Sequence, residues 1–407
     1  MGEPRRRCSS CGESYAEGVI FCPRDGSALS ARSRDTGPDP YLGRTLHGMF
    51  RIDALIGTGA VGRVYRAHQL GVERDVALKI MHPDLAANEA LNARFRREAR
   101  IAGALSHPNL VSALLFSEFE QEGLRIPFLA LEYLDGLSLR SALSAQGALP
   151  VARALHILLQ VADAVGEAHQ RGIVHRDLKP DNVMLVQRGD DPDFVKVLDF
   201  GVARVEVGES AEHPSLATRA GAIFGSPRYV APECAAGGES SPASDVYALA
   251  TLGYECLTGS TPFDGENAIQ ILLKQQSEPV PPLASRSAGQ SIPSALVEFI
   301  ERNLDKSPAA RAPNARAFSR TLLETATDLP LTSRTRLGHA VSPALTNVHV
   351  PVPALPLPRP STATRRALFV LACFVLGVGA ALGIATQLGA FGDQSPPPAA
   401  TAKGISP

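Results

Sequence analysis

The chain has 407 residues and a formal net charge of -1, with 40 Lys and Arg against 41 Asp and Glu. That balance gives no reason to expect a nucleic-acid partner, and the length allows two or three units with a sizeable core. Six cysteines, three of them within the first 22 residues, make no disulfide framework, and no apolar stretch follows Arg5, Arg6 and Arg7 as a secretory signal would require.

At the N-terminus, Cys8-Ser9-Ser10-Cys11-Gly12 is echoed by Cys22-Pro23-Arg24-Asp25-Gly26, with Asp25 where a fourth cysteine would stand. Residues 1–30 resemble a small zinc ribbon. The resemblance implies a structural Zn²⁺ on Cys8, Cys11, Cys22 and Asp25, since tetrahedral zinc accepts carboxylate as well as thiolate. A segment of ~30 residues has too little core to fold without a metal or another staple. Residues 31–50 read as a linker, because 31–40 have turn-forming composition.

From Arg51 onward, β-like apolar runs give way to helical periodicity at 92–105, 151–169 and 245–257, a mixed α and β body. Gly57-Thr58-Gly59-Ala60-Val61-Gly62, followed by Val64, falls at the junction of two predicted strands. Glycines there let backbone amides approach phosphate oxygens, although a plain Gly-rich hairpin has the same composition. Val76-Ala77-Leu78-Lys79 is a short strand ending in a lysine that, once buried, needs an anionic partner. Glu98, in a helical run, can supply that carboxylate or be one more charge on a solvated helix face.

Three segments then follow in order: His175-Arg176-Asp177-Leu178-Lys179-Pro180-Asp181-Asn182, Asp199-Phe200-Gly201 and Ala231-Pro232-Glu233. With the glycine loop and strand lysine before them, they make residues 51–325 resemble a eukaryotic-type (Hanks-type) protein kinase domain as found in bacteria. The resemblance implies a bilobal α+β fold, with a β-rich N-lobe and a helical C-lobe. It also implies ATP and Mg²⁺ (or Mn²⁺) as cofactors, and serine or threonine hydroxyls of proteins as acceptors. Lys79, paired with Glu98, would hold the α- and β-phosphates. Gly57, Gly59, Gly62, Val64 and Ala77 would surround the nucleotide, and residues 131–134 would form the hinge behind adenine. Within that hinge Glu132 and Leu134 contact the base, with Leu131 as gatekeeper. Asp199 and Asn182 would bind the metals, and Asp177 would orient the hydroxyl and accept its proton. Lys179 matches the serine/threonine subclass. Ser226, where threonine is commoner, would brace Asp177 and Lys179. Asp245 would brace the catalytic-loop backbone, and Arg311 would pair with Glu233. Arg176 suggests regulation by a phosphate on the segment 199–233, with Thr218 preferred over Ser210 and Ser215.

Residues 326–366 dissolve into a Pro-rich spacer, with seven prolines and five arginines over 328–366. Residues 367–388 are uncharged and apolar, roughly long enough at ~1.5 Å per residue to span a ~30 Å hydrocarbon core. A buried core helix is the other reading, but the Pro-rich flanks offer nothing to bury it. Arg365 and Arg366 precede the segment, and the tail 389–407 carries no charge before Asp393. The bias places the kinase-like body on the cytoplasmic face of a bacterial inner membrane. Gly379 and Gly383 make a small-xxx-small pair, and a homodimer through this helix, the ribbon or the kinase lobes stays open. The competing reading of the whole is a catalytically silent scaffold that binds ATP and signals by docking.

Overall fold

The computed structural model describes residues 5–7, 14–16, 39–59, 61–200, 227–287 and 291–326. Strands β1 (Arg5–Arg7) and β2 (Ser14–Ala16) pair antiparallel. Cys8, Cys11, Cys22, Asp25, Thr218, Ser226 and the apolar segment 367–388 all lie outside the described residues. Among the described residues, no helix is long and apolar enough to cross a membrane and no group of three or more His, Cys, Asp or Glu could hold a metal.

The N-lobe is an antiparallel sheet of β3 (Thr45–Leu46), β4 (Phe50–Thr58), β5 (Gly62–Gln69), β6 (Arg74–Met81), β7 (Ala113–Gln121) and β8 (Leu124–Glu132), in the order β3-β4-β5-β6-β8-β7. Alternation along the strands sets its faces: Phe50 and Ile52 are buried while Arg51 and Asp53 point out. Tyr65, Leu78 and Phe128 complete this core. After the short α1 (Pro83–Ala86), α2 (Glu89–Ala104) packs on the sheet through Phe95 and Ala99. Its N-terminus is capped by Asn88, whose side chain accepts from the Leu91 N–H at 3.1 Å.

The linker expected over 31–50 is shorter than its composition implies. Asp39 accepts from the Tyr41 N–H at 2.9 Å, the Arg63 guanidinium at 3.0 Å and the Tyr65 hydroxyl at 3.0 Å. Tyr41 is buried edge-on between the rings of Tyr65 and Phe119. Turn-rich composition hid this, because the partners of Asp39 lie 24 and 26 residues downstream.

The C-lobe opens with β9 (Gly136–Ser138), α3 (Leu139–Gln146) and α4 (Val151–Gln170). The ladder of β10 (Val183–Arg188) and β11 (Asp191–Val197) follows, with β10 also pairing β9. Helices α5 (Pro232–Ala235), α6 (Pro242–Thr258), α7 (Ala268–Ser277), α8 (Leu283–Arg286), α9 (Ser294–Asn303) and α10 (Ala315–Thr325) complete it. Helix α6 is apolar nearly all round and therefore central. A capping box between Ser241 and Ser244, with Pro242 in the first turn, starts it three residues before the expected 245, and left-handed Gly259 ends it.

Arg311 ties the end of this lobe to α5. Its guanidinium, fully buried, makes a forked pair with Glu233 at 3.0 and 2.8 Å and donates to the carbonyls of Ala243, Asp305 and Lys306. Burial opposes the Glu233 charge, yet the Arg311 and Ser244 hydrogen bonds hold its pKa below the ordinary range. Replacing Arg311 by Met strands that carboxylate and three backbone carbonyls. We expect a loss of about 3–5 kcal/mol in urea denaturation.

Candidate active site

Lys79 stands on β6 one residue beyond Leu78, on the same side of the strand as Ala77. Its Nζ donates to Glu98 of α2 at 2.5 Å and to Asp199, just past β11, at 3.1 Å. One ammonium thus joins the N-lobe sheet, its helix and the C-lobe. Burial works against the Lys79 charge, but the Asp199 and Glu98 carboxylates outweigh it and raise its pKa above the usual lysine range. Burial, with the Asp199 charge added, raises Glu98, while Asp199 is kept below the ordinary carboxylate range by Lys79 despite its own burial. The ambiguity over Glu98 resolves in favour of pairing.

The glycines divide by role. A Cβ at Gly62 would collide with the Ile80 carbonyl, so that glycine is required by the close β5–β6 approach. A Cβ at Gly57 or Gly59 would meet only ordinary contacts, so protein packing does not require glycine there. Their openness suits a phosphate approaching backbone amides. The turn is fixed from the side by His82, whose Nε2 lies 3.1 Å from the Gly59 carbonyl. Val64 is paired across from Lys79, and Leu131 across from Ala77, which places both beside the lysine strand. The Glu132 side chain is engaged within the protein: its carboxylate takes Lys196 at 2.6 Å and the Ser112 N–H at 2.7 Å, while its own N–H donates to the Ser112 carbonyl. Leu134 lies two residues past the end of β8.

The catalytic loop hangs from one buried carboxylate. Asp245 accepts from the N–H of His175 at 2.6 Å, the N–H of Arg176 at 3.0 Å and His169 Nε2 at 2.9 Å. The Ala315 N–H donates to His169 Nδ1, so the proton sits on Nε2 and points at Asp245. Burial alone would raise Asp245, but His169 and the amides keep its pKa low. The loop these bonds shape carries Arg176 at φ +71°, a left-handed conformation unusual for a non-glycine residue.

Asp177 then presents itself to the cleft. Its Oδ2 accepts from Lys179 at 2.9 Å and from Asn182 Nδ2 at 3.1 Å, while among the described residues no donor takes Oδ1, the oxygen that can face an incoming hydroxyl. Asn182 also donates to the Asp177 carbonyl at 2.8 Å, so both its amide hydrogens are turned toward Asp177. Its carboxamide oxygen is thereby left for a cation. With the Asp199 carboxylate, that makes the hard oxygen donor set Mg²⁺ prefers, so the residues fit the metal. Phe200, after Asp199, packs its ring 4.7 Å from His175 and joins the C-lobe core. Asp245, Arg311 and Glu233 occupy the architectural places expected of them. Thr218 and Ser226 lie outside the described residues.

Sequence reading missed His169, His82, Lys196 and Arg140. Each works through a partner distant in the chain, and no local spacing marks it.

Residues 50–322 match the family model described as the protein kinase domain, and the chain belongs to that family. It is 40% identical over 287 residues to the serine/threonine-protein kinase pkn3 of Myxococcus xanthus, covering 70% of this chain and 51% of that protein. It is 37% identical over 273 residues to the serine/threonine-protein kinase PknA of Mycobacterium tuberculosis, covering 67% and 60% respectively. The chain thus spans between half and three fifths of these relatives. The crystal structure of the PknI kinase domain of M. tuberculosis superposes with a TM-score of 0.51 at 30% identity, over 70% of this chain and 98% of that one.

His175 supplies a pH test of the site. Its Nε2 donates to the Leu198 carbonyl at 3.0 Å and its Nδ1 accepts from the Asp177 N–H, so it is neutral, and burial lowers its pKa. Below the unfolded value of ~6.5 the unfolded chain takes up the proton first, so this group's stability is full above that pH and is lost on acidification. Urea midpoints at pH 5 and pH 7 should differ more for the wild type than for His175→Phe.

Proposed function

We propose that the chain is a serine/threonine protein kinase that moves the γ-phosphoryl group of ATP to protein hydroxyls. The observation that carries this is Lys79 bonded to both Glu98 and Asp199 while Asp177 stands with one carboxylate oxygen that no donor takes among the described residues. Lys79 neutralises and positions phosphate oxygens, and Gly57 and Gly59 admit them to the backbone. Asp177 Oδ1 receives the hydroxyl proton as the new O–P bond forms and the bond to ADP breaks. Mg²⁺ held by Asp199 and Asn182 supplies further neutralisation of phosphate charge when bound. Positioning and charge neutralisation provide most of the acceleration in such a transfer, and these residues offer both. Restriction to serine and threonine is supported by Lys179 and by the relatives, which are serine/threonine-protein kinases by name.

The remaining parts of the reading rest on sequence. The apolar run 367–388 after Arg365 and Arg366 supports a single span in a bacterial inner membrane with the kinase domain in the cytoplasm. The paired cysteine spacing supports zinc on Cys8, Cys11, Cys22 and Asp25. Arg176 in the catalytic loop supports activation by autophosphorylation at Thr218, and a homodimer would allow that transfer between chains.

The test is radiolabelled transfer from ATP by the detergent-solubilised chain, with the labelled residues mapped. We expect label on serine or threonine of an added protein and on Thr218, falling at least about a hundredfold in Asp177→Asn. Bound nucleotide with no label in the wild type would favour the silent scaffold.

A further inference from the structure

The transfer chemistry does not use Arg140, yet the fold commits several groups to it. Arg140 lies in the first turn of α3, where the helix dipole disfavours a cation. Its Nη1 donates to Glu255 of α6 at 2.7 Å and its Nη2 to the Tyr229 hydroxyl at 2.7 Å. Tyr229 in turn donates to the other Glu255 oxygen. The Glu255 side chain is 6% exposed, so its carboxylate is fully occupied from inside the protein. The third face of the guanidinium looks toward the catalytic loop: Nε is 3.5 Å from Asp181, whose side chain is 46% exposed.

This cluster borders the place where an acceptor must lie. Asp181 is the fourth residue after Asp177, in the 3₁₀ turn Pro180–Asn182, and Tyr229 lines the same cleft as Asp177. Asn182 bonds to Asp177 at 3.1 Å, so Asp181, one Cα step of ~3.8 Å before it, places its carboxylate on the order of 10 Å or less from that of Asp177. An extended substrate covers that distance in about two to three residues. Were Arg140 absent, Glu255 and Asp181 would present two carboxylates there, one of them shielded from water, and would require a cation from the substrate.

We propose that Arg140 determines substrate selectivity, filling from within a carboxylate site that would otherwise demand a basic residue two to three positions from the phosphoacceptor. The role rests on the kinase reading. It also differs from plain bracing of α3 against α6, which predicts loss of stability with no change in which peptides are used.

The experiment compares peptides carrying Arg or Ala at each of three positions on either side of a serine, phosphorylated by the full chain in detergent. For the wild type the Arg-to-Ala ratio of kcat/KM should stay within about fivefold at every position, the scale of an exposed ion pair. In Arg140→Ala the ratio should rise about tenfold or more at one of these positions, the scale of a charge-assisted hydrogen bond. Arg140→Lys should restore the wild-type pattern. Arg140→Met, which keeps the apolar stem, is the second variant should alanine prevent folding. A wild type that already demands arginine, or a folded, active variant whose ratio does not move, overturns the proposal. A wild type that labels neither peptide nor itself counts against the kinase reading instead.

Discussion

A carboxylate removed from water costs several kcal/mol unless hydrogen bonds replace its hydration, and Asp245 is almost wholly removed. Two backbone amides and one histidine replace that water, and all three belong to segments that must converge for the site to exist. His169 ends α4, His175 and Arg176 begin the catalytic loop, and Ala315, which fixes the histidine tautomer, begins α10. Satisfying this one charge therefore fixes where Asp177 starts. The left-handed Arg176 is maintained because its N–H and its neighbour's are both committed to the same carboxylate. Helix α6 holds Asp245 still because it is buried on every side and capped at both ends.

The same device recurs wherever the C-lobe joins separate segments. Arg311 with Glu233 anchors the helix after the activation segment, and Arg140 with Glu255 and Tyr229 anchors the start of α3. Such pairs add little net stability over apolar packing, but a wrong partner leaves a buried charge, so they enforce one arrangement. Lys79 does this between lobes. One ammonium shared by Glu98 and Asp199 aligns α2 with Asp199, while packing within each lobe proceeds separately in two apolar cores.

What could be read from the sequence follows the range of the interactions. The long helices over 151–169 and 245–257 were legible because their periodicity is local, and the observed spans extend them by a few residues where caps act. The segments around Asp177 and Asp199 were legible because they resemble the motifs of the protein kinase family in order and residue type. The place of residues 39–50 was not, since Asp39 finds Arg63 and Tyr65 across the sheet and its own neighbours look like a turn. Glu132 was read as a nucleotide contact from its place after an apolar strand. That its side chain takes Lys196, 64 residues on, is something no pattern within β8 announces. Gly62 belongs to a glycine motif, yet only the backbone geometry shows that Ile80 is what requires it.

A Mg²⁺ ion bound with nucleotide would draw on the Asp199 carboxylate that here holds Lys79. Calorimetric binding of a non-hydrolysable ATP analogue, with and without Mg²⁺, addresses it most directly in the wild type and in Asp199→Asn. The account predicts that Mg²⁺ tightens wild-type binding by about tenfold or more and that the asparagine variant loses this gain. Tight binding indifferent to Mg²⁺, or an Asp199→Asn variant that responds to the metal as the wild type does, would contradict it.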